Sequence, residues 1–181
     1  MDLARQALRV SENDPGILAN AALVLAQFGE DIGAVIGLVD RALTLNPSFA
    51  RGWYLSGIVR IFAGQSDFAI EHLETSLRLR PRERMGAPLV AMGEAYFFKR
   101  RFDEAAATLL LAIQDDPGFP LPYRFLAACY AHLERLDEAR AIVARLHAIS
   151  PLVIPGDLPF RNPEDRELLL SGLRLSAGAA A

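Results

Sequence analysis

The chain has 181 residues, 52% of them apolar and 23% charged, with a net charge of −3. That size suits one domain that buries roughly 70% of the surface its unfolded form exposes, and the apolar share excludes a disordered chain. The small net charge gives no bulk drive toward nucleic acid or an anionic membrane.

Met1-Asp2-Leu3-Ala4-Arg5 lacks the basic stretch and apolar core of a secretory signal. No stretch approaches the roughly 20 apolar residues that cross a bilayer, so the chain is expected in the cytoplasm, without membrane insertion. Of the 19 basic residues only Lys99 is a lysine, the bias of a GC-rich bacterial genome. Residues 2–14 read as the second helix of an incomplete unit. Two helices are expected between Pro15 and Pro47; the second keeps Val35, Val39 and Ala42 in register, with two residues missing before it. The next pair, over 48–81, carries Trp53 and Gly57 on its first helix and Ala69 and Leu73 on its second. After two extra residues in 81–86, the pair ending at Pro117 places Leu89, Gly93 and Tyr96 before Ala105, Leu109 and Ala112. The pair over 118–151 places Tyr123, Ala127 and Tyr130 before Ala139 and Val143. The turns at 62–67, 98–103 and 132–137 end in Asp67, Asp103 and Asp137, each expected to cap the helix that follows. Past Pro151, residues 152–160 read as a loop. Asn162-Pro163-Glu164-Asp165 then opens a last helix over 163–174 that covers the apolar face of the final pair. A tail over 176–181 is expected to be mobile.

Period and packing explain one another. Pro15, Pro47, Pro81, Pro117 and Pro151 stand 32, 34, 36 and 34 residues apart. Proline cannot continue a helix and is common just past its end. Gly57, Gly93 and Ala127 are spaced 36 and 34, and Ala69, Ala105 and Ala139 share those spacings. Where two helices cross closely, one must offer a small side chain so that the other's bulk can enter. Recurrence of that order means one supersecondary unit stacked on itself.

This pattern resembles the tetratricopeptide repeat, a 34-residue helix–turn–helix read as W-x₂-L-G-x₂-Y…A-x₃-F…P. Gly93, Tyr96, Ala105, Leu109, Ala112 and Pro117 carry the match in one repeat, and Ala127, Tyr130, Ala139, Val143 and Pro151 in the next. The repeat before them has Arg60 where tyrosine is usual. The resemblance implies an all-α, right-handed superhelix of antiparallel helix pairs with a C-terminal capping helix. Its solenoid spans 1–151, with a partial repeat at 2–15 and repeats at about 16–47, 48–81, 82–117 and 118–151; linker and cap occupy 152–175. A narrower resemblance joins 41–47, 57–60, 69–74 and especially Pro159-Phe160-Arg161-Asn162-Pro163-Glu164-Asp165 to the C-terminal repeats of bacterial class III adenylate/guanylate cyclases. Winged-helix regulators with a similar repeat tail share much of it. In those families a catalytic or DNA-binding domain precedes the repeats, and the start in mid-repeat fits a piece of such a protein.

Enzyme chemistry has no visible seat. His72, His132 and His147 have no metal-ligand spacing with the single cysteine, Cys129, which lies in an apolar run and reads as a buried thiol. Phosphate-binding glycine loops and nucleophile elbows are absent. Asp115-Asp116 and Asp137-Glu138 sit at helix ends, where capping and solvation explain them. No catalytic residue, cofactor or metal is therefore expected. The basic run Arg78-Leu79-Arg80-Pro81-Arg82-Glu83-Arg84 either contacts phosphate or an acidic partner, or offsets the dipole at a helix end. The second reading is preferred, and without an interleaved aromatic platform no nucleic-acid partner is expected.

In the resembling family the first helix of each pair lines a concave surface. Counting along those helices places Arg51, Tyr54, Ile58 and Phe62 on it, then Val90, Glu94 and Phe97, then Arg124, Ala128 and His132. A helix or extended peptide would bind there; the alternative is that Tyr54, Phe62 and Phe97 pack between repeats. Two functions follow. One is a protein- or peptide-binding scaffold, self-association included, as the regulatory region of a larger bacterial signalling protein such as an adenylate cyclase. The other is a small-molecule sensor that controls a linked cyclase or DNA-binding domain, which needs an enclosed pocket with converging polar groups.

Overall fold

Ten α-helices follow one another in the computed structural model, which describes residues 2–11, 13–80 and 86–178, and no strand occurs among those residues. The chain divides into two compact units, Met1–Glu83 and Arg84–Ala181. The first holds α1 (Asp2–Val10), α2 (Pro15–Gln27), α3 (Ile32–Leu45), α4 (Ala50–Phe62) and α5 (Ser66–Leu79). The second holds α6 (Gly86–Phe98), α7 (Phe102–Asp115), α8 (Pro120–His132), α9 (Leu136–Ile149) and α10 (Pro163–Ser176). Pro81 and the Arg82-Glu83-Arg84 end of the basic run lie outside the described residues.

Small residues set the crossings as the spacing requires. A Cβ on Gly57 would stand 2.6 Å from the Leu73 Cγ, and one on Gly93 2.6 Å from the Leu109 Cγ. The α4–α5 and α6–α7 pairs are thus each closed by a glycine against a leucine sixteen residues on. Ala69, Ala105 and Ala139 have no exposed surface. A second device recurs: the Trp53 indole N–H donates to the Pro47 carbonyl at 2.8 Å, and the Tyr123 hydroxyl to the Pro117 carbonyl at 2.9 Å. Both tie a first helix to the proline turn before it.

The turns inside the pairs share one backbone. Gly29, Gly64, Arg100 and Glu134 all have positive φ. The next residue donates back across the turn, Glu30 to Leu25, Gln65 to Arg60, Arg101 to Tyr96 and Arg135 to Tyr130, all as backbone bonds. This closes each first helix in a Schellman arrangement.

Three expectations need correction. Asp67, Asp103 and Asp137 do not cap: α5, α7 and α9 start earlier, behind Gln65, Arg101 and Arg135, none of which makes a side-chain cap bond. The acids sit in the first turn instead, where they face the positive helix end. Side-chain caps occur where Asp or Asn stands one place ahead of the helix. Asp14 accepts from Ile17 N at 2.9 Å, Asp31 from Ala34 N at 2.8 Å and Asn162 from Glu164 N at 2.9 Å. Pro15 is not equivalent to the later prolines, because it opens α2 rather than following a helix. Consequently no residues are missing from the first pair: α2 and α3 start 17 residues apart, against 16 in the later pairs, and Asp31 is the extra residue.

The loop over 152–160 contains no helix or strand. α10 then runs to Ser176, whose side chain is buried and donates to the Leu173 carbonyl.

Candidate functional site

In the first unit the residues read from the sequence, Arg51, Tyr54, Ile58 and Phe62, all lie on α4, which packs beside α2. The Arg51 guanidinium donates to the Asn20 side-chain oxygen at 3.0 Å and so links the two first helices. Tyr54 and Ile58 are half-buried one and two turns further along α4, while Phe62 is buried at 6% exposure. Tyr54 leans on the small core cluster of Leu18, Ala19, Ala42 and Leu55, so its ring is held in place. Asn20 also lines an open cleft of about 690 Å³ between α1 and α2, with Leu3, Ala7, Ile17 and Val24 around it and Asp14 at one end. α1 leaves Leu3 81% and Val10 78% exposed. Sequence reasoning missed Asn20, Ile17 and Val24. The signal is present in α2, but it is hidden when Pro15 is counted as the end of a repeat rather than the start of a helix.

The candidates of the second unit have different surroundings. Val90, Glu94 and Phe97 are buried on α6, at 4%, 7% and 0% exposure. Phe97 sits among Phe98, Phe102, Phe125 and His132, with ring centroids 5.3–5.8 Å away. It is a core residue. Burial pushes the Glu94 carboxyl up to about 8, so at neutral pH it is protonated.

Arg124, Ala128 and His132 on α8 are met by the chain's own C-terminal segment. Arg124 donates to the Leu152 and Val153 carbonyls. Ala128 has no exposed surface and faces Gly172 of α10. The His132 Nε2–H donates to the Leu168 carbonyl at 2.8 Å, and its ring stacks on Phe102.

Groups with chemical potential are otherwise engaged. The His72 Nδ1 pairs with the Ser56 hydroxyl at 3.0 Å, and its ring meets Trp53 edge to face. Burial, helped by the nearby Arg60 charge, lowers its pKa to about 4 and keeps it neutral. Burial pushes the Cys129 thiol well above its ordinary value, away from thiolate chemistry. Arg60 takes the place where Tyr96 and Tyr130 stand in later repeats. Its guanidinium bonds Asp40 at 2.6 Å and lies 5.8 Å from the Phe68 ring centroid. Among the described residues no three His, Cys, Asp or Glu side chains gather in a way that would hold a metal ion. No helix among them is long and apolar enough to cross a membrane.

Comparison with known proteins agrees with this architecture. Residues 100–151 match the sequence profile of the tetratricopeptide repeat. No curated protein matches the chain. Among solved structures, the chain is similar to MamA from residue 41 to its end, of Desulfovibrio magneticus RS-1. That match has a TM-score of 0.68 at 20% identity, over 82% of this chain and 84% of that one. It is similar to YrrB, described as a TPR protein with an unusual peptide-binding site, with a TM-score of 0.61 at 20% identity, over 97% and 91%. It is also similar to TTC0263, a thermophilic TPR protein of Thermus thermophilus, with a TM-score of 0.69 at 22% identity, over 91% and 83%. The fold is therefore an all-α helical solenoid of the tetratricopeptide type.

Proposed function

We propose that the chain is a protein- or peptide-binding scaffold whose contact surface in the first unit is the α2–α4 face around Arg51, Tyr54 and Ile58. One observation carries this reading. The Arg51–Asn20 hydrogen bond bridges the two first helices, while the apolar side chains beside it stay partly open to solvent. A held aromatic ring next to a charged group is the composition from which binding hot spots are made. The similar protein YrrB is described as having a peptide-binding site, which supports a peptide ligand. The cleft between α1 and α2 is open and mostly apolar. That suits a side chain of a bound segment better than it suits an enclosed small molecule, so the sensor reading has less support.

On this reading the chain serves as the interaction region of a larger bacterial signalling protein, such as an adenylate cyclase. The stretches at 57–60, 69–74 and 159–165 support that role by their resemblance to cyclase-linked repeats, and the coding sequence upstream of Met1 tests it. Self-association through the same face belongs to the same reading.

The test uses the full chain as bait in a bacterial lysate, followed by titration of the purified partner. Tyr54→Ala is expected to weaken binding by about 1 kcal/mol or more, roughly fivefold. Arg51→Ala is expected to make the affinity less dependent on salt. A Tyr54→Ala/Ile58→Ala double variant that keeps its helicity and its affinity would rule the surface out.

A further inference from the structure

Residues 150–176 lie across one stripe of α8. α10 packs chiefly on α8 and less on α9. Gly172 is the point of closest approach: a Cβ there would stand 2.8 Å from the Ala128 Cβ, 2.9 Å from the His132 Nε2 and 3.0 Å from the Ala128 Cα. One turn away, His132 donates to the Leu168 carbonyl at 2.8 Å. At the other end of the stripe Arg124 donates to the Leu152 and Val153 carbonyls at 2.8 and 3.2 Å. In the same segment, the Phe160 ring centroid lies 4.7 Å from that of Phe98 on α6 and 6.3 Å from that of Phe125 on α8. Arg124, Ala128 and His132 are spaced i, i+4, i+8, so these contacts share one face of α8.

This contact differs from the crossings inside the repeats. In α4–α5 and α6–α7 a glycine receives a leucine within one helical hairpin. Here the α8 side offers an arginine, an alanine and a histidine, and the two charged or polar groups bind main-chain carbonyls. Any peptide carries those carbonyls. The loop that delivers α10 has no helix or strand over 151–162, and Leu152 within it is 54% exposed. Leu168, Leu169 and Leu173 are buried, with Gly172 between them.

We propose that α10 is a built-in, displaceable occupant of a groove on α8, and that it competes there with a partner helix carrying the same Leu-Leu-x-x-Gly-Leu pattern. The inference rests on the reading of the chain as a binding scaffold and adds what the second unit recognises. The small residue lets the partner backbone approach Ala128, and the leucines bury its apolar face. A short tether holds α10 at an effective concentration of about 1 mM, so a free helix competes poorly until α10 is released.

The experiment measures the fluorescence anisotropy of a labelled peptide of residues 161–178 with the full chain, wild type against Gly172→Leu. The new side chain collides with the Ala128 backbone and lifts α10 while leaving the stripe unaltered. The Gly172→Leu chain is expected to bind the peptide at least tenfold more tightly than the wild-type chain, and a peptide that itself carries Gly172→Leu is expected to bind neither. Equal affinity for both chains overturns the competition. No binding to a Gly172→Leu chain of native helicity overturns the groove. If that variant does not fold, hydrogen exchange of the wild-type chain decides. Amides of α10 exchanging at least tenfold faster than those of α8 and α9 support a releasable occupant; α10 amides exchanging no faster than theirs refute it. Failure here leaves the Tyr54 surface standing. Peptide binding here, with no partner lost through Tyr54→Ala/Ile58→Ala, removes that surface and leaves this one.

Discussion

Glu134 and Arg100 occupy, with φ of 61° and 57°, the turn position that Gly64 holds in the second pair. A side chain in that left-handed region costs about 1–2 kcal/mol, part of which glycine returns as chain entropy on folding. Glu134→Gly is therefore expected to raise the unfolding free energy by about 0.5–1 kcal/mol; a lower urea midpoint would show that the turn is not strained. Glu94 gives a second residue-scale prediction. Its folded pKa is about 8 against an ordinary 4.5, so the folded chain keeps a proton that the unfolded chain releases. Stability from this group is full below 4.5 and falls as pH rises toward 8. His72 acts in the opposite sense and at lower pH: its pKa drops from 6.5 to about 4, so its contribution is lost only on acidification below 6.5. Between pH 6.5 and 8 the Glu94 effect stands clear, at roughly 2 kcal/mol. Glu94→Gln should flatten the denaturation midpoint over that window, and an unaltered slope would place the carboxyl in water. Neither residue's state was legible in the sequence. Glu94 counts as one inward position among several, and its burial depends on neighbours supplied by other helices.

At the scale of the helix pair, Gly57 facing Leu73 and Gly93 facing Leu109 are the closures that the 36-residue spacing required. Both were legible because each crossing lies within one hairpin, where sequence distance and spatial distance agree. Gly57→Ala places a methyl 2.6 Å from the Leu73 Cγ, and overpacking of this kind costs about 1–3 kcal/mol. Urea unfolding with an unchanged midpoint and slope would mean that the crossing relaxes without strain. Caps were less legible. A helix starting two residues earlier turns Asp103 from a cap into a first-turn charge, and sequence pattern leaves element ends uncertain by a residue or two. For Phe97 the sequence left two readings, a groove position or packing between repeats, and its 0% exposure decides for packing. Its cover comes from Phe125 and His132 on α8, and from Phe102 of the next helix. The cover over His132 comes from Leu168, 36 residues away on a helix outside the repeat.

For the molecule as a whole, the two units show what a repeat design leaves free. In each, the second helices close the hairpins, and the first helices carry the side chains that the closures do not use. In the first unit Arg51, Tyr54 and Ile58 remain partly open. In the second, the equivalent stripe on α8 is met by the chain's own 150–176 segment. The same backbone thus presents one face to solvent and keeps the other occupied. On the proposed reading, charge on the open face would set orientation and encounter, and the Tyr54 ring would supply affinity. The most direct test is carbene footprinting of the full chain with and without its purified partner. Labelling is expected to fall at Tyr54, Ile58, Ile17 and Val24 on partner addition and to stay constant at Phe68 and Leu79 of α5. Protection confined to α5, with Tyr54 and Ile58 labelled as before, would contradict binding by the first-helix face.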